Sequence, residues 1–453
     1  MVDYSTLGTT VMRKETPRDH QILRRIMNRR WPEIRDFCYR DPEAIREWQF
    51  GRIQQLVDHA FGTVPLYREK YSAAGFKPGD LRTWNDFERL PVLTKGELID
   101  GFPEKSVSGK HNLEFTTRSS GSSGQFVTVV VSPDAVYEDT VQGVRQFWFQ
   151  NGGNYQPDDL ALFIYTCPWW VSSVDGDYRT EFLPTTTRIG ESMRRIRELR
   201  PKILSTYPTY LRELAAEGAD LKGSGVELVV IHSEQSSIHE RRELSQQFGI
   251  PVLDEYSSEE LTRISLECPS RRYHLEEDAC YAEIVDQDDL ARGLSNGEIG
   301  LVVGTNLLNE GTPIIRYCQG DLATIIGNQR CECGSNFRVI SSPKGRKMDS
   351  IIVPPGRGIP AGAFMDLAYN WYLEAGIPVH GLKYKIVQEE TGDVDVFIVP
   401  GLYPFTDRMS ELVRESMYSL LPREVGVNVH VVDDLPFQKG NKYRPVISLY
   451  GCK

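Results

Sequence analysis

Residues 116 to 125 read Thr116-Thr117-Arg118-Ser119-Ser120-Gly121-Ser122-Ser123-Gly124-Gln125. Glycines let a backbone fold until successive N–H groups point at one oxyanion. The hydroxyls add donors that can rearrange as phosphate charge moves. A flexible Ser/Gly linker is the plainer reading, but linkers are rarely so short or wedged between two strand-like runs. The spacing is not that of the G-x-x-x-x-G-K-[ST] loop. A second group is the acidic run Asp254-Glu255-Tyr256-Ser257-Ser258-Glu259-Glu260. It ends a strand-like stretch, where α/β sheets hold ligands; otherwise it is a solvated turn. A third group is Cys268 and His274 with Cys331 and Cys333. Three thiolates and one imidazole suit a closed tetrahedral Zn2+, structural and outside the chemistry. Buried reduced cysteines are the alternative.

These residues need a frame to hold them. The span 18–75 is helix-rich, with helical spacing over 45–61 stopped at Val64-Pro65. Thr94 can cap a short helix. Strand-like segments at 113–117 and 126–131 flank the Ser/Gly run. Next come a helix over 135–150, strands at 160–165 and 203–205, a helix at 210–216, a strand at 227–232, a helix at 237–248 and a strand at 252–256. Repeated strand-then-helix units imply a largely parallel sheet with helices on its faces. From about residue 262 the pattern changes to short strands at 281–285, 300–304 and 314–317, joined by Gly- and Asn-rich turns, which suggests an antiparallel sheet or barrel. Beyond the basic stretch 344–347, helices at 365–374 and 407–420 and strands at 382–387, 394–399 and 427–432 make a small α+β unit.

The Ser/Gly run resembles the Ser-Ser-Gly-Thr-Thr-Gly-Lys phosphate loop of the adenylate-forming superfamily, and the whole pattern looks most like its phenylacetate-coenzyme A ligase branch. The resemblance covers roughly residues 50–450 and rests on several motifs in the expected order. It implies that Ser119, Ser120, Gly121, Ser122, Ser123 and Gly124 cradle phosphate, with Gln125 standing where the loop lysine would be. Asp254 to Glu260 resembles Tyr-Gly-x-Ser/Thr-Glu, which implies Tyr256 and Ser257 beside the adenine and Glu260 on Mg2+, with the adjacent Glu259 as rival; carboxylate oxygens are what Mg2+ takes. His232-Ser233-Glu234-Gln235 resembles the segment lying against adenine, with Ser233 and Glu234 its contacts. Ile315-Arg316-Tyr317-Cys318-Gln319-Gly320-Asp321 resembles Tyr-Arg-Thr-Gly-Asp, implying that Asp321 accepts from both ribose hydroxyls. Gly345-Arg346-Lys347-Met348-Asp349 resembles the hinge motif, implying Arg346 on ribose or phosphate oxygen; Met348 stands where the family pivots on Asp. Leu435 to Arg444 resembles the C-terminal Gly-Lys-x-Arg segment, whose lysine neutralises charge as pyrophosphate leaves; Lys442 fits best and Lys439 is the rival. Members of this branch can carry the Cys/His zinc site. Tyr165, Trp169, Trp170, Tyr207, Pro208, Thr209 and Tyr210 lie where the family puts acid contacts, suggesting an aromatic or planar acid; aromatics there are equally often core.

The expected fold is α/β: a large N-terminal adenylation domain over 1–346, with parallel α/β subdomains plus an antiparallel sheet or barrel, and a small mobile C-terminal α+β lid over 347–453. At 453 residues the chain is too long for one core. Its formal charge of −11 argues against a nucleic-acid or anionic-membrane partner. No stretch approaches a membrane span or an N-terminal signal. The eight cysteines do not form a disulfide framework: Cys38, Cys167, Cys280 and Cys452 are scattered. A cytoplasmic ligase is expected, using ATP and Mg2+ with structural Zn2+. It would activate a small acid as acyl-AMP for coenzyme A, and could form a homodimer. An amine acceptor, nitrite as the activated acid, or a non-enzymatic nucleotide-binding scaffold are the alternatives.

Overall fold

The computed structural model describes residues 10–110, 114–119, 126–168, 170–435 and 442–451. Its centre is a nine-stranded sheet. Five parallel strands run side by side: Val252–Ser258, Leu228–His232, Ile203–Thr206, Leu160–Tyr165 and Arg179–Pro184. Four antiparallel strands continue it beyond Val252–Ser258: Thr262–Glu267, Tyr273–Leu275, Val339–Ile340 and Ile325–Gly327. The helices Ile189–Leu199, Pro208–Ala216 and Ile238–Phe248 form the crossovers. The last starts at a Ser237 cap and stops at Gly249 in the left-handed region, which glycine enters without a Cβ clash.

Successive strand side chains point to opposite faces, and the sheet buries both. Ala161, Phe163, Ile203, Leu228, Val230 and Leu253 belong to a core that also takes residues of the N-terminal helices Pro17–Asp36 and Pro42–Thr63. Leu162, Ile164, Leu204, Val229, Ile231 and Val252 belong to a second core, shared with Ile351, Phe364, Ile386 and Val396 from the C-terminal part. That explains why these strands read as continuous apolar runs rather than alternating ones.

Two three-stranded antiparallel sheets flank the main one. One joins Thr10–Met12, Phe115–Arg118 and Thr128–Val130. The other joins Cys280–Val285, Gly300–Asn306 and Tyr317–Ala323. The strand expected at 314–317 lies instead at Tyr317–Ala323. Arg316 has φ 52°, which ends extended backbone before it, and the polar stretch through Asp321 supplies the ladder. The C-terminal residues form a four-stranded sheet in the order Val427–Val431, Val394–Val399, Lys383–Gln388, Val446–Ser448. It carries the helices Ala361–Ala375 and Asp407–Met417 and follows the hairpin Ile351–Val353 with Arg357–Ile359. No helix among the described residues is long and apolar enough to cross a membrane.

Candidate active site

The acidic run is a strand end and turn, not a solvated loop. Val252–Ser258 pairs antiparallel with Thr262–Glu267, and the register slips between Tyr256 and Ser257. A bulge at that place re-aims the side chains that follow it. Glu260 is buried, and its carboxylate accepts from the Tyr317 hydroxyl at 3.2 Å. Glu259 accepts from the Thr117 hydroxyl. Burial raises both carboxyls above their usual range, and Glu259 itself raises Glu260 further.

The Tyr317–Ala323 strand brings Asp321 against this turn. The Tyr256 hydroxyl and the Gln319 amide each donate to Asp321 Oδ2 at 2.8 Å. Leu322 N–H donates to the Gly345 carbonyl at 2.8 Å, so the 344–346 segment runs alongside and sets Arg346 Nε 3.4 Å from Asp321 Oδ1. Gly345 has φ +98°, and a Cβ there would stand 2.9 Å from the Ala361 side chain. Burial works to lower Arg346, but Asp321, Asp349 and Glu260 outweigh it and raise the guanidinium.

From the C-terminal part come Lys442, Tyr443 and Arg444. Tyr443 N–H donates to Glu234 Oε1 at 2.7 Å, and the other Glu234 oxygen takes the Thr209 N–H (3.1 Å) and hydroxyl (2.8 Å). Glu234 is therefore committed to holding the 442–443 segment as well as lining the cavity. Arg444 pairs with Asp349. Burial lowers Lys442, and Arg346 lowers it further, against the pull of Glu259, Glu234 and Glu260.

Glu234, Tyr256, Glu259, Glu260, Asp321, Arg346 and Lys442 line one cavity of about 230 Å³, together with Ser119, Ser233 and Ser257. A neighbouring cavity of about 150 Å³ shares Ser233, Glu255, Ser257, Ser258, Glu259 and Lys442 with it. Lys442 thus stands in both walls. Tyr165 and Trp170 line the second cavity, whereas Tyr207, Pro208, Thr209 and Tyr210 do not. Tyr207 is buried against the Tyr165 and His232 rings, and the Tyr210 hydroxyl bonds Ser192 at 2.7 Å. Of the two readings open for these aromatics, Tyr207 and Tyr210 take the core one: the helix beginning at Pro208 turns Tyr210 into the core. His232 is pushed down to about 4 by burial, against the pull of Glu255 and with a smaller push from Lys442.

Ser120, Gly121, Ser122, Ser123, Gly124, Gln125, Trp169 and Lys439 lie outside the described residues. Met348 is 48% exposed, while the next residue, Asp349, is buried and clamped by Arg444. Sequence reasoning missed Lys95, Asp349 and Arg444 as cavity groups. Thr94 caps the helix that starts at Lys95, so the cap was a signal for where that side chain begins. It also missed Asp139 and Arg263 in the second cavity, which no motif marks.

The Cys/His group closes on itself. The donor atoms of Cys268, His274, Cys331 and Cys333 all lie within 4.8 Å of one another. Cys268 Sγ is 3.8 Å from Cys331 Sγ, and Cys333 Sγ is 3.3 Å from His274 Nε2. A tetrahedron with Zn–S arms of about 2.3 Å has S···S edges of about 3.8 Å, so the spacing fits that metal. His274 Nδ1 lies 3.0 Å from the Phe337 carbonyl, a contact that makes it the protonated nitrogen and leaves the Nε2 lone pair facing the thiols.

No model of a known protein family matches the chain. It is 27% identical to the phenylacetate-coenzyme A ligase of Escherichia coli, over 69% of this chain and 73% of that one. It is 25% identical to the phenylacetate-coenzyme A ligase of Thermus thermophilus, over 90% of this chain and 97% of that one. Among solved structures, 2-hydroxyisobutyryl-CoA ligase in its postadenylation state superposes with a TM-score of 0.70 at 19% identity, covering 88% of each chain. The chain is thus similar in sequence to phenylacetate-coenzyme A ligases and shares its fold with 2-hydroxyisobutyryl-CoA ligase.

Proposed function

We propose that the chain activates a small carboxylic acid with ATP and transfers the acyl group to coenzyme A. One observation carries this reading: a cavity lined by Ser119, Tyr256, Glu260, Asp321 and Arg346 opens beside a second cavity, and Lys442 stands in both walls. ATP occupies the first and the acid the second. The carboxylate oxygen attacks the α-phosphorus, the bond to the β-phosphate oxygen breaks, and pyrophosphate leaves. The thiol of coenzyme A then attacks the acyl carbon and AMP leaves.

Lys442 neutralises the charge that builds at the α-phosphate, where a fixed donor does most for the transition state. Asp321 accepts from both ribose hydroxyls, Arg346 and Ser119 meet phosphate or ribose oxygens, and the Tyr256, Ser233, Glu234 and Ser257 edge faces the adenine. Glu260 lines only the first cavity, which favours it over Glu259 as the residue that would hold Mg2+. The metal would supply charge neutralisation on the phosphates. Glu259 then stands at the junction beside Lys442.

The chain divides into 1–346 and 347–453, and the second unit turns after adenylation to withdraw Lys442 and admit the thiol. The bond from the Tyr443 N–H to Glu234 holds it in the adenylating position. Cys268, His274, Cys331 and Cys333 hold one structural Zn2+, supported by the 3.8 Å sulfur spacing. The test is pyrophosphate release over a panel of aryl and alkyl acids, with and without coenzyme A. Acid-dependent release followed by thioester formation is expected. Release without thioester would move the acceptor elsewhere, and no release with any acid would overturn the reading.

A further inference from the structure

The second cavity has a neighbour besides the first. An outer cavity of about 400 Å³ is lined by residues of the helices Pro17–Asp36, Pro42–Thr63 and Pro133–Gln150. Ile26, Ile34, Phe37, Trp48 and Leu307 give it an apolar wall. The charged groups around it include the pairs Arg30–Glu138 and Arg52–Glu310. Acyl-adenylate chemistry at Lys442 makes no use of this space.

Little separates the two. The helix Pro133–Gln150 turns one face to each: Ala135 and Asp139 line the second cavity, Asp134, Glu138 and Gln142 the outer one. The segment after the Gly300–Asn306 strand divides likewise, with Asn309 on one side and Leu307 and Glu310 on the other. Leu308 alone among the described residues lines both. Its backbone is pinned. The Leu308 and Asn309 N–H groups donate to Asn306 Oδ1 at 3.0 and 3.1 Å. Asn309 Oδ1 takes the Ser132 and Gly311 N–H groups, and its amide donates to the Val130 and Thr312 carbonyls. The half-buried Leu308 side chain is what remains to close the gap.

We infer that Leu308 sets the length of acid this chain accepts: its side chain ends the second cavity, and a smaller residue there would let a longer apolar tail run into the outer one. This rests on the acyl-adenylate reading of the site. Leu308 lines the second cavity and not the first, so it stands off the junction at Lys442 where the carboxyl reacts. The second cavity, at about 150 Å³, is small beside the roughly 300–1,000 Å³ of most ligand pockets, so the acyl chain that fills it is short. A longer chain must displace the Leu308 side chain, because close packing and the bonded backbone around it yield little. Past that point the tail would lie against Ile26, Ile34 and Trp48, out of water.

The test uses two series of acids: butyrate, hexanoate, octanoate and decanoate, and phenylacetate with its longer ω-phenyl homologues. It reads kcat/KM for pyrophosphate exchange and, separately, binding of each acid to the full chain by calorimetry without ATP. Wild-type activity should break off along each series, each methylene past the limit costing about 10–200-fold. Leu308→Ala should raise the ratio of decanoate to butyrate by about 10–200-fold, and Leu308→Phe should move the break to shorter acids. The ratio is the readout because a merely weakened fold lowers every acid alike. An unchanged ratio in both variants overturns the inference, as does a wild type that takes decanoate as readily as hexanoate. If Leu308→Ala does not fold, Leu308→Phe and Leu308→Val decide. A length limit in binding that moves with residue 308, without exchange, keeps this inference and overturns the ligase reading. Exchange whose length limit ignores residue 308 does the reverse. No binding and no exchange overturns both.

Discussion

Around the larger cavity, Lys442, Glu259, Glu260, Asp321 and Arg346 come from separate segments and stand about an open space. At the Cys/His group, four donors face one another with room for a single atom. Both clusters bring distant parts of the sequence together. The difference is what completes them. A closed set of soft donors is finished by an ion and then belongs to the fold. An open set leaves space for a substrate, and there burial pushes Lys442, Glu259 and Glu260 from their ordinary values.

The sharpest way to break this contrast is Lys442→Ala. Pyrophosphate exchange should fall roughly 10²–10³-fold, the effect of removing one donor aimed at developing charge, while the melting temperature barely moves. Equal activity in the variant would remove Lys442 from the chemistry, and a loss in Lys439→Ala instead would move the role there. Cys331→Ser should do the opposite. Its melting temperature should drop by on the order of 10 °C, with exchange at a permissive temperature little changed. Elemental analysis should find one zinc per wild-type chain; stable, metal-free protein would make the group ordinary core.

Asp321→Ala should weaken AMP binding by about 1.5–3 kcal/mol, the usual scale for hydrogen bonds to a charged group. Unchanged affinity by calorimetry would take the ribose away from Asp321. The smallest effect is on pH dependence. On the proposed reading Lys442 acts while protonated, and burial lowers it, so activity is lost as pH rises through a value below the ordinary lysine range. On the proposed reading Glu260 holds Mg2+ while ionised, and burial raises it, so activity appears only above the ordinary carboxyl range. The kcat/KM profile should therefore be a bell whose two limbs are drawn together. A plateau reaching to about pH 10 would show Lys442 at its free-solution value.

The parallel sheet was legible because strands buried on both faces leave unbroken apolar runs, as 228–232 does. The motifs were legible because the site is made at strand ends, where each is contiguous. What was not legible has physical reasons too. Arg316 takes a left-handed backbone that no pattern announces, so its strand was set a few residues early. Asp139 and Arg263 sit in a helix and a strand with nothing to distinguish them, and meet only because the helix Pro133–Gln150 lies across the Thr262–Glu267 strand. Glu234 was read from its resemblance alone, and its grip on the Tyr443 N–H became visible only with the C-terminal segment beside it.

The two-faced burial of the central sheet also bears on how this chain can change over evolutionary time. A one-residue insertion inside Leu228–His232 would exchange every side chain between the two cores, pulling Val229 and Ile231 from one and Leu228 and Val230 from the other. It would also rotate the strand end that delivers Ser233 and Glu234 to the cavity. Length variation among kindred sequences should therefore collect in the turns away from the carboxyl ends of these strands. Within the strands, change should be confined to swaps of similar volume.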